Sequence, residues 1–298
     1  MSCSAYFCHQ HTSLKVDMMM TLPTFHLLLV GTLLLLQTSL GAEPPRPNIV
    51  IIVADDLGFN DVGFHGSTQI PTPNIDALAY SGIILNNYYV QPICTPSRSA
   101  LMTGKYPIHT GLQHSTIGGS HPYGLGLSEI LLPKYMTSLG YTNHHVGKWH
   151  LGFFKKVYTP TYRGFDTHFG YWSGRIDYYD HTALEQPGYW GYDMRRNMTV
   201  ARDCYGKYTT DLFTNEAVDI IKKHNSSHPL FLYLAHLAVH SANPYAPLQA
   251  PKEVVQKFAY IKDKKRRTFA GESRCMGRWG ARSWAVVVTL CTQPWQSC

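Results

Sequence analysis

The strongest constraint on the fold of this chain is an alternation. Short apolar runs rich in β-branched residues alternate with segments of helical period, and each run stops on polar residues. Residues 49–54 form a continuous apolar run, the pattern of a strand buried on both faces. Thr72-Pro73 then opens a helical segment, with a hydroxyl at the capping position and proline at the first helical one. Pro96 opens another, running to about Met102. Residues 128–139 read as a helix closed by Gly140, residues 141–146 as a strand, residues 209–224 as a long amphipathic helix and residues 230–234 as a further strand. Strands and helices in this order predict an α/β domain with a mainly parallel sheet flanked by helices. No internal repeat interrupts it.

In such sheets ligands bind beyond the carboxyl ends of the strands, and polar residues collect there. Asp55 and Asp56 end the first strand, Lys148 and His150 follow the second, and His240 lies a few residues past the third. Two adjacent carboxylates at a buried strand end repel unless a cation or hydrogen bonds compensate, and hard cations prefer oxygen. A polar loop capping a helix is the plain alternative for this pair.

The ends of the chain differ from its middle. Residues 27–36 are apolar apart from Gly31 and Thr32, too short to span a bilayer, and small residues follow at Ser39, Gly41 and Ala42. Residues 1–42 therefore read as a signal peptide with a long pre-region, directing the chain into the secretory pathway without a stable membrane span. The triplets at Asn197 and Asn225 fit glycosylation in that pathway. Beyond the signal region lie Cys94, Cys204, Cys275, Cys291 and Cys298, an odd number that leaves at least one thiol without an intrachain partner. The formal charge is +7, but residues 262–298 hold eight Lys/Arg against Asp263 and Glu272. The excess reads as a tail rather than a binding face, which argues against a nucleic-acid partner.

Cys94-Thr-Pro-Ser-Arg98 is the most informative stretch. It puts a thiol and a forked cation at the start of a helix whose free N–H groups favour an anion such as sulfate or phosphate. A cysteine near a turn, free or in a disulfide, is the ordinary reading, and no adjacent base marks Cys94 as a thiol nucleophile. Continued through Ser-Ala-Leu-Met-Thr103-Gly104-Lys105, the stretch resembles the signature of the type I sulfatases, whose core is Cys-x-Pro-x-Arg. Residues 106–114, Val146-Gly-Lys148-Trp-His150-Leu-Gly152 and Tyr162-Arg-Gly-Phe-Asp166 resemble the arylsulfatase B (N-acetylgalactosamine-4-sulfatase) group in particular.

The resemblance implies an alkaline-phosphatase-like fold, calcium as the metal, and formylglycine made from Cys94 by the formylglycine-generating enzyme. The hydrated aldehyde would attack sulfur, and its second hydroxyl would release sulfate. It also implies that Arg98 steadies the modified residue and that Asp55, Asp56 and Cys94 lie at the metal. Lys148 and His150 would contact sulfate and the departing oxygen, and His240, in preference to His236, would be a proton donor or sulfate contact. Two residues apart in extended chain, Lys148 and His150 should project to one side. His109, His114, His144 and His145 receive no catalytic role. The implied substrates are aryl sulfates and the 4-sulfate of N-acetylgalactosamine in dermatan or chondroitin sulfate, and the implied location is lysosomal or extracellular.

The likeness covers residues 47–271. Residues 272–298 read as an atypical tail, and the family's later Asp-Asn metal pair and second lysine have no counterpart. The chain as written is therefore expected to be weakly active or inactive, since two carboxylates are a small part of a calcium shell. Two other readings follow, a non-catalytic glycan-binding fragment and a related phosphoryl hydrolase; Cys94 disfavours the latter, whose relatives use an unmodified Thr or Ser.

Overall fold

The computed structural model describes residues 46–185 and 188–277. The signal region and residues 278–298 lie outside them.

The sheet is built from β1 (Ile49–Val53), β2 (Thr142–Lys148), β3 (Thr167–Tyr171), β6 (Arg195–Arg196), β7 (Thr199–Val200) and β8 (Leu230–Ala235). A separate hairpin pairs β4 (Thr182–Leu184) with β5 (Trp190–Tyr192). The sheet order is β1-β8-β2-β3-β6-β7; the first four strands are parallel, and β6 and β7 close the edge antiparallel. Helices α1 (Pro73–Ser81), α2 (Cys94–Thr103), α3 (Leu132–Ser138), α4 (Thr209–Lys223), α5 (Lys252–Val255) and α6 (Lys264–Met276) surround it.

Strand β8 is buried throughout, and its side chains alternate between two cores. Leu230, Leu232 and Leu234 pack with Val50, Val146, Phe169 and the α4 residues Phe213 and Ala217. Phe231, Tyr233 and Ala235 pack on the other face with Ile51, Val53, Met102, Met136 and Trp149. Each fully buried leucine contributes about 2 kcal/mol. The parallel alternating architecture is thus the one the sequence predicts.

Some element starts differ from the sequence reading. Thr72 stands at the cap of α1, as predicted, but its hydroxyl makes no capping bond; it donates to Asp76 Oδ1 and accepts from Gly63 N. Helix α2 begins two residues before Pro96, with Ile93 at the cap. Only Leu132–Ser138 of the 128–139 segment is helical, because Pro133 suits a first turn and lacks the N–H an interior position would need. Position 271 falls inside α6, where Gly271, Glu272, Ser273, Cys275 and Met276 are buried. Helix α6 contacts α4 and α5, so the cation-rich run up to Arg274 is part of the folded domain rather than a free tail.

Candidate active site

The register of β1, β8 and β2 aligns Val53, Ala235 and Gly147 across three neighbouring strands. The polar residues that follow each strand consequently meet at one sheet edge. The first two strands remain joined past their ends, through Asp55 N to Ala238 O (3.0 Å) and Val239 N to Asp55 O (2.8 Å). Gly147, at φ +105°, makes the third approach possible, since a Cβ there would lie 1.8 Å from Ala235 O.

Lys148 stands at the centre and is fully buried. Its Nζ donates to Asp55 Oδ2 at 2.6 Å and to Cys94 Sγ at 3.1 Å. Arg98 Nη2 lies 3.3 Å from Asp55 Oδ1, while its Nη1 donates to Lys148 O (3.0 Å) and Tyr233 Oη (3.4 Å). Burial alone would push the Asp55 carboxyl up, but facing Lys148, Arg98 and His240 it is held well below the usual carboxylate range. Burial also opposes ionisation of Cys94; the ammonium of Lys148 overcomes this, with help from His150 and His240, and the thiol falls well below its ordinary value.

The two histidines differ. His150 lies past the end of β2 at φ +56°, so extended-chain alternation with Lys148 is not what aims it. Its Nε2 meets Ile117 O at 3.0 Å, and the ring is packed against Gly174, where a Cβ would come within 2.8 Å of it. Burial lowers its pKa and keeps it neutral. His240 Nδ1 donates to Ser241 O (2.6 Å), leaving Nε2 facing Asp56 Oδ2 at 3.5 Å. Burial and Lys148 oppose its protonation, yet the negative Asp55 and Cys94 win and raise its pKa. His236 is buried with both ring nitrogens unpartnered among the described residues, so the structure brings His240, and not His236, to Cys94.

Asp55, Cys94 and His240 each offer a ligand atom within 4.8 Å of the others, forming a metal-capable triad. Asp56, at φ +59° and with a half-exposed side chain, has its pKa raised by burial and by the neighbouring Asp55, a repulsion that a cation would relieve. Two adjacent carboxylates therefore fit part of a calcium shell, four oxygens at most of the six to eight such an ion takes.

Asn197 and Asn225 are exposed and away from this cluster. Their amide oxygens accept from His168 N and Ser227 N. The sequence reading missed Thr95, whose hydroxyl donates to His150 O and accepts from Ile117 N, and Tyr233, the partner of Arg98. An apolar strand carrying one tyrosine was the available signal for the latter.

Known proteins resemble this chain over most of its described length. The Sulfatase family profile matches residues 47–279. Mouse arylsulfatase J is 48% identical over 236 residues, covering 79% of this chain and 38% of that protein. Mouse N-acetylgalactosamine-6-sulfatase is 35% identical, with 74% and 45% covered. Among solved structures, Ps i-CgsB superposes with a TM-score of 0.69 at 37% identity, covering 78% of this chain and 53% of that one. The chain belongs to the sulfatase family, and it spans half or less of the length of the two mouse relatives. These comparisons support the family without singling out the arylsulfatase B group that the motifs suggested.

Proposed function

We propose that this chain carries the sulfate-cleaving centre of a sulfuric ester hydrolase, with Cys94 the residue that the formylglycine-generating enzyme converts to an aldehyde. The observation that carries the reading is Lys148 Nζ lying within 3.1 Å of Cys94 Sγ and 2.6 Å of Asp55 at the carboxyl edge of the sheet.

The hydrated aldehyde supplies the hydroxyl nucleophile that a plain thiol lacks. Lys148 and Arg98 place fixed positive charge where negative charge gathers on the sulfuryl oxygens, in a site that requires no reorganisation at the moment of reaction. His240 holds a proton on Nε2 that can pass to the departing alcohol oxygen, and neutral His150, fixed by Ile117 O, packs beside Cys94. Asp55 and Asp56, beside Cys94, would hold calcium, which would supply further positive charge.

The substrate class is a sulfated N-acetylgalactosamine unit of a glycosaminoglycan. Motif resemblance favours the 4-sulfate, and the name of one relative indicates the 6-sulfate as the comparison. The chain enters the secretory pathway, carries glycans at Asn197 and Asn225, and acts in the lysosome or outside the cell. Among the described residues no helix is long and apolar enough to cross a membrane.

The test is expression of the chain as written with the formylglycine-generating enzyme, followed by mass spectrometry of the Cys94 peptide and an aryl sulfate assay with calcium. Aldehyde at Cys94 and turnover that vanishes in Cys94→Ala are expected. An unmodified thiol, or turnover independent of Cys94, would overturn the reading.

A further inference from the structure

The excess positive charge of the chain is partly assembled on a folded surface that the catalytic cluster does not use. Pro71, Lys257, Phe258, Tyr260 and Arg274 line a groove of about 240 Å³. Phe258 is buried, with the Tyr260 ring tilted beside it at 6.2 Å. Tyr260 is 60% exposed, yet its hydroxyl donates to Gln69 O at 2.7 Å, which fixes the ring as a platform. Gln69 is held in turn by Arg266, whose Nε donates to Gln69 Oε1. Lys257 and Arg274 line the same groove, and among the described residues neither makes an ion pair. Lys262, Lys264 and Lys265, close in sequence, are exposed, as is Asp263 among them.

An exposed tyrosine is ordinarily mobile, and two cations lining one groove repel each other. A fixed aromatic face in a groove also lined by two unpaired cations matches a ligand that offers a flat apolar face and anionic groups. A pyranose ring bearing sulfate has that form: its C–H face packs on the aromatic ring, and its sulfates meet Lys257 and Arg274. We propose that this groove is a second binding site, for a sulfated saccharide unit, by which the domain holds a polymeric sulfated glycan apart from the bond to be cleaved. The choice of ligand rests on the reading of the chain as a sulfated-glycan hydrolase; occupancy of the groove does not require turnover.

The test measures binding of the full chain, in the Cys94→Ala form, to a chondroitin sulfate octasaccharide by calorimetry at low salt. Lys257→Gln combined with Arg274→Gln is expected to weaken binding about tenfold, since an exposed charge pair contributes only a few-fold each. Tyr260→Ala should weaken it also, and both variants are checked for an unchanged melting temperature so that loss of fold is not read as loss of binding. Lys207→Gln combined with Lys222→Gln removes the same charge elsewhere and should leave affinity unchanged. Equal loss in that control, no binding by the parent chain, or equal affinity for an unsulfated hyaluronan octasaccharide would overturn the proposal. So would an oligonucleotide binding as tightly through the same residues. Loss of Cys94-dependent turnover with this binding intact would instead count against the catalytic reading alone.

Discussion

Lys148 Nζ lies 2.6 Å from Asp55 Oδ2, with the lysine side chain fully buried and the aspartate nearly so. The pair joins the ends of β2 and β1 although β8 runs between them. Removing one member of a buried pair leaves an uncompensated charge, which costs about 3–5 kcal/mol. Lys148→Met should therefore lower stability by about 3 kcal/mol, the low end because Arg98 still faces Asp55. Urea unfolding checks this, and combining Lys148→Met with Asp55→Asn should restore part of the loss. Additive losses in the double variant would show that the two side chains are not coupled.

Arg98 makes three contacts with one planar group: Asp55 Oδ1, Lys148 O and Tyr233 Oη. A lysine ammonium is a point donor and cannot span them. Arg98→Lys should lower kcat/KM for an aryl sulfate about 100-fold, the size of losing one preorganised oxyanion donor. A variant within threefold of the parent would remove Arg98 from the catalytic scheme.

Gly147 is required by contact as well as by conformation. At φ +105°, with Ala235 O where a Cβ would stand, Gly147→Ala has no small relaxation open to it, because both partners are backbone. A left-handed residue costs about 1–2 kcal/mol, and the overlap adds to it. The expected loss exceeds about 3 kcal/mol, seen as a lowered urea midpoint or no soluble protein.

Acid should weaken the fold through His236. Its only perturbation is burial, which lowers its pKa to about 4. The unfolded chain takes up the proton near pH 6.5 and the folded chain does not, so stability is full above that value and falls as pH drops towards 4. By pH 5 the loss from this residue is about 2 kcal/mol. Glu272, whose pKa burial raises well above normal, works in the opposite direction. Comparison of the parent with His236→Phe isolates the histidine: the difference in unfolding free energy between pH 7 and pH 5 should shrink by about that amount. An unchanged difference would mean that His236 is protonated in the fold.

The parallel sheet and the residues at its edge were legible because strand ends can be read from where apolar runs stop. Asp55, Lys148 and His240 each follow such a run, and the β1-β8-β2 order then juxtaposes them. What the sequence could not give was aim. His150 is directed by a left-handed backbone and by Ile117 O, 33 residues away, and Tyr233 looks like any other strand residue until Arg98 is placed against it. The charge of α6 was misread for a related reason. A run of like charges suggests a solvated tail, and only the packing of Ala270, Cys275 and Met276 reveals a helix with one buried face.

Gly174 gives the sharpest test of how His150 is held. Its φ is not in the left-handed region, so the backbone tolerates alanine; the obstacle is the His150 ring, with Cε1 at 2.7 Å and Nε2 at 2.8 Å from the position of a Cβ. Real Cβ contacts are not that short, so in Gly174→Ala the ring must move and its Nε2 must leave Ile117 O. A shift of about 1 Å in a positioned group costs about 100-fold in rate. Gly174→Ala should therefore lower kcat/KM for an aryl sulfate about 100-fold while changing the melting temperature little. In a His150→Ala background the collision is gone, and the same substitution should have almost no further effect on rate. If Gly174→Ala instead lowers the residual activity of His150→Ala by a similar factor, the glycine acts through the loop backbone and not through the imidazole.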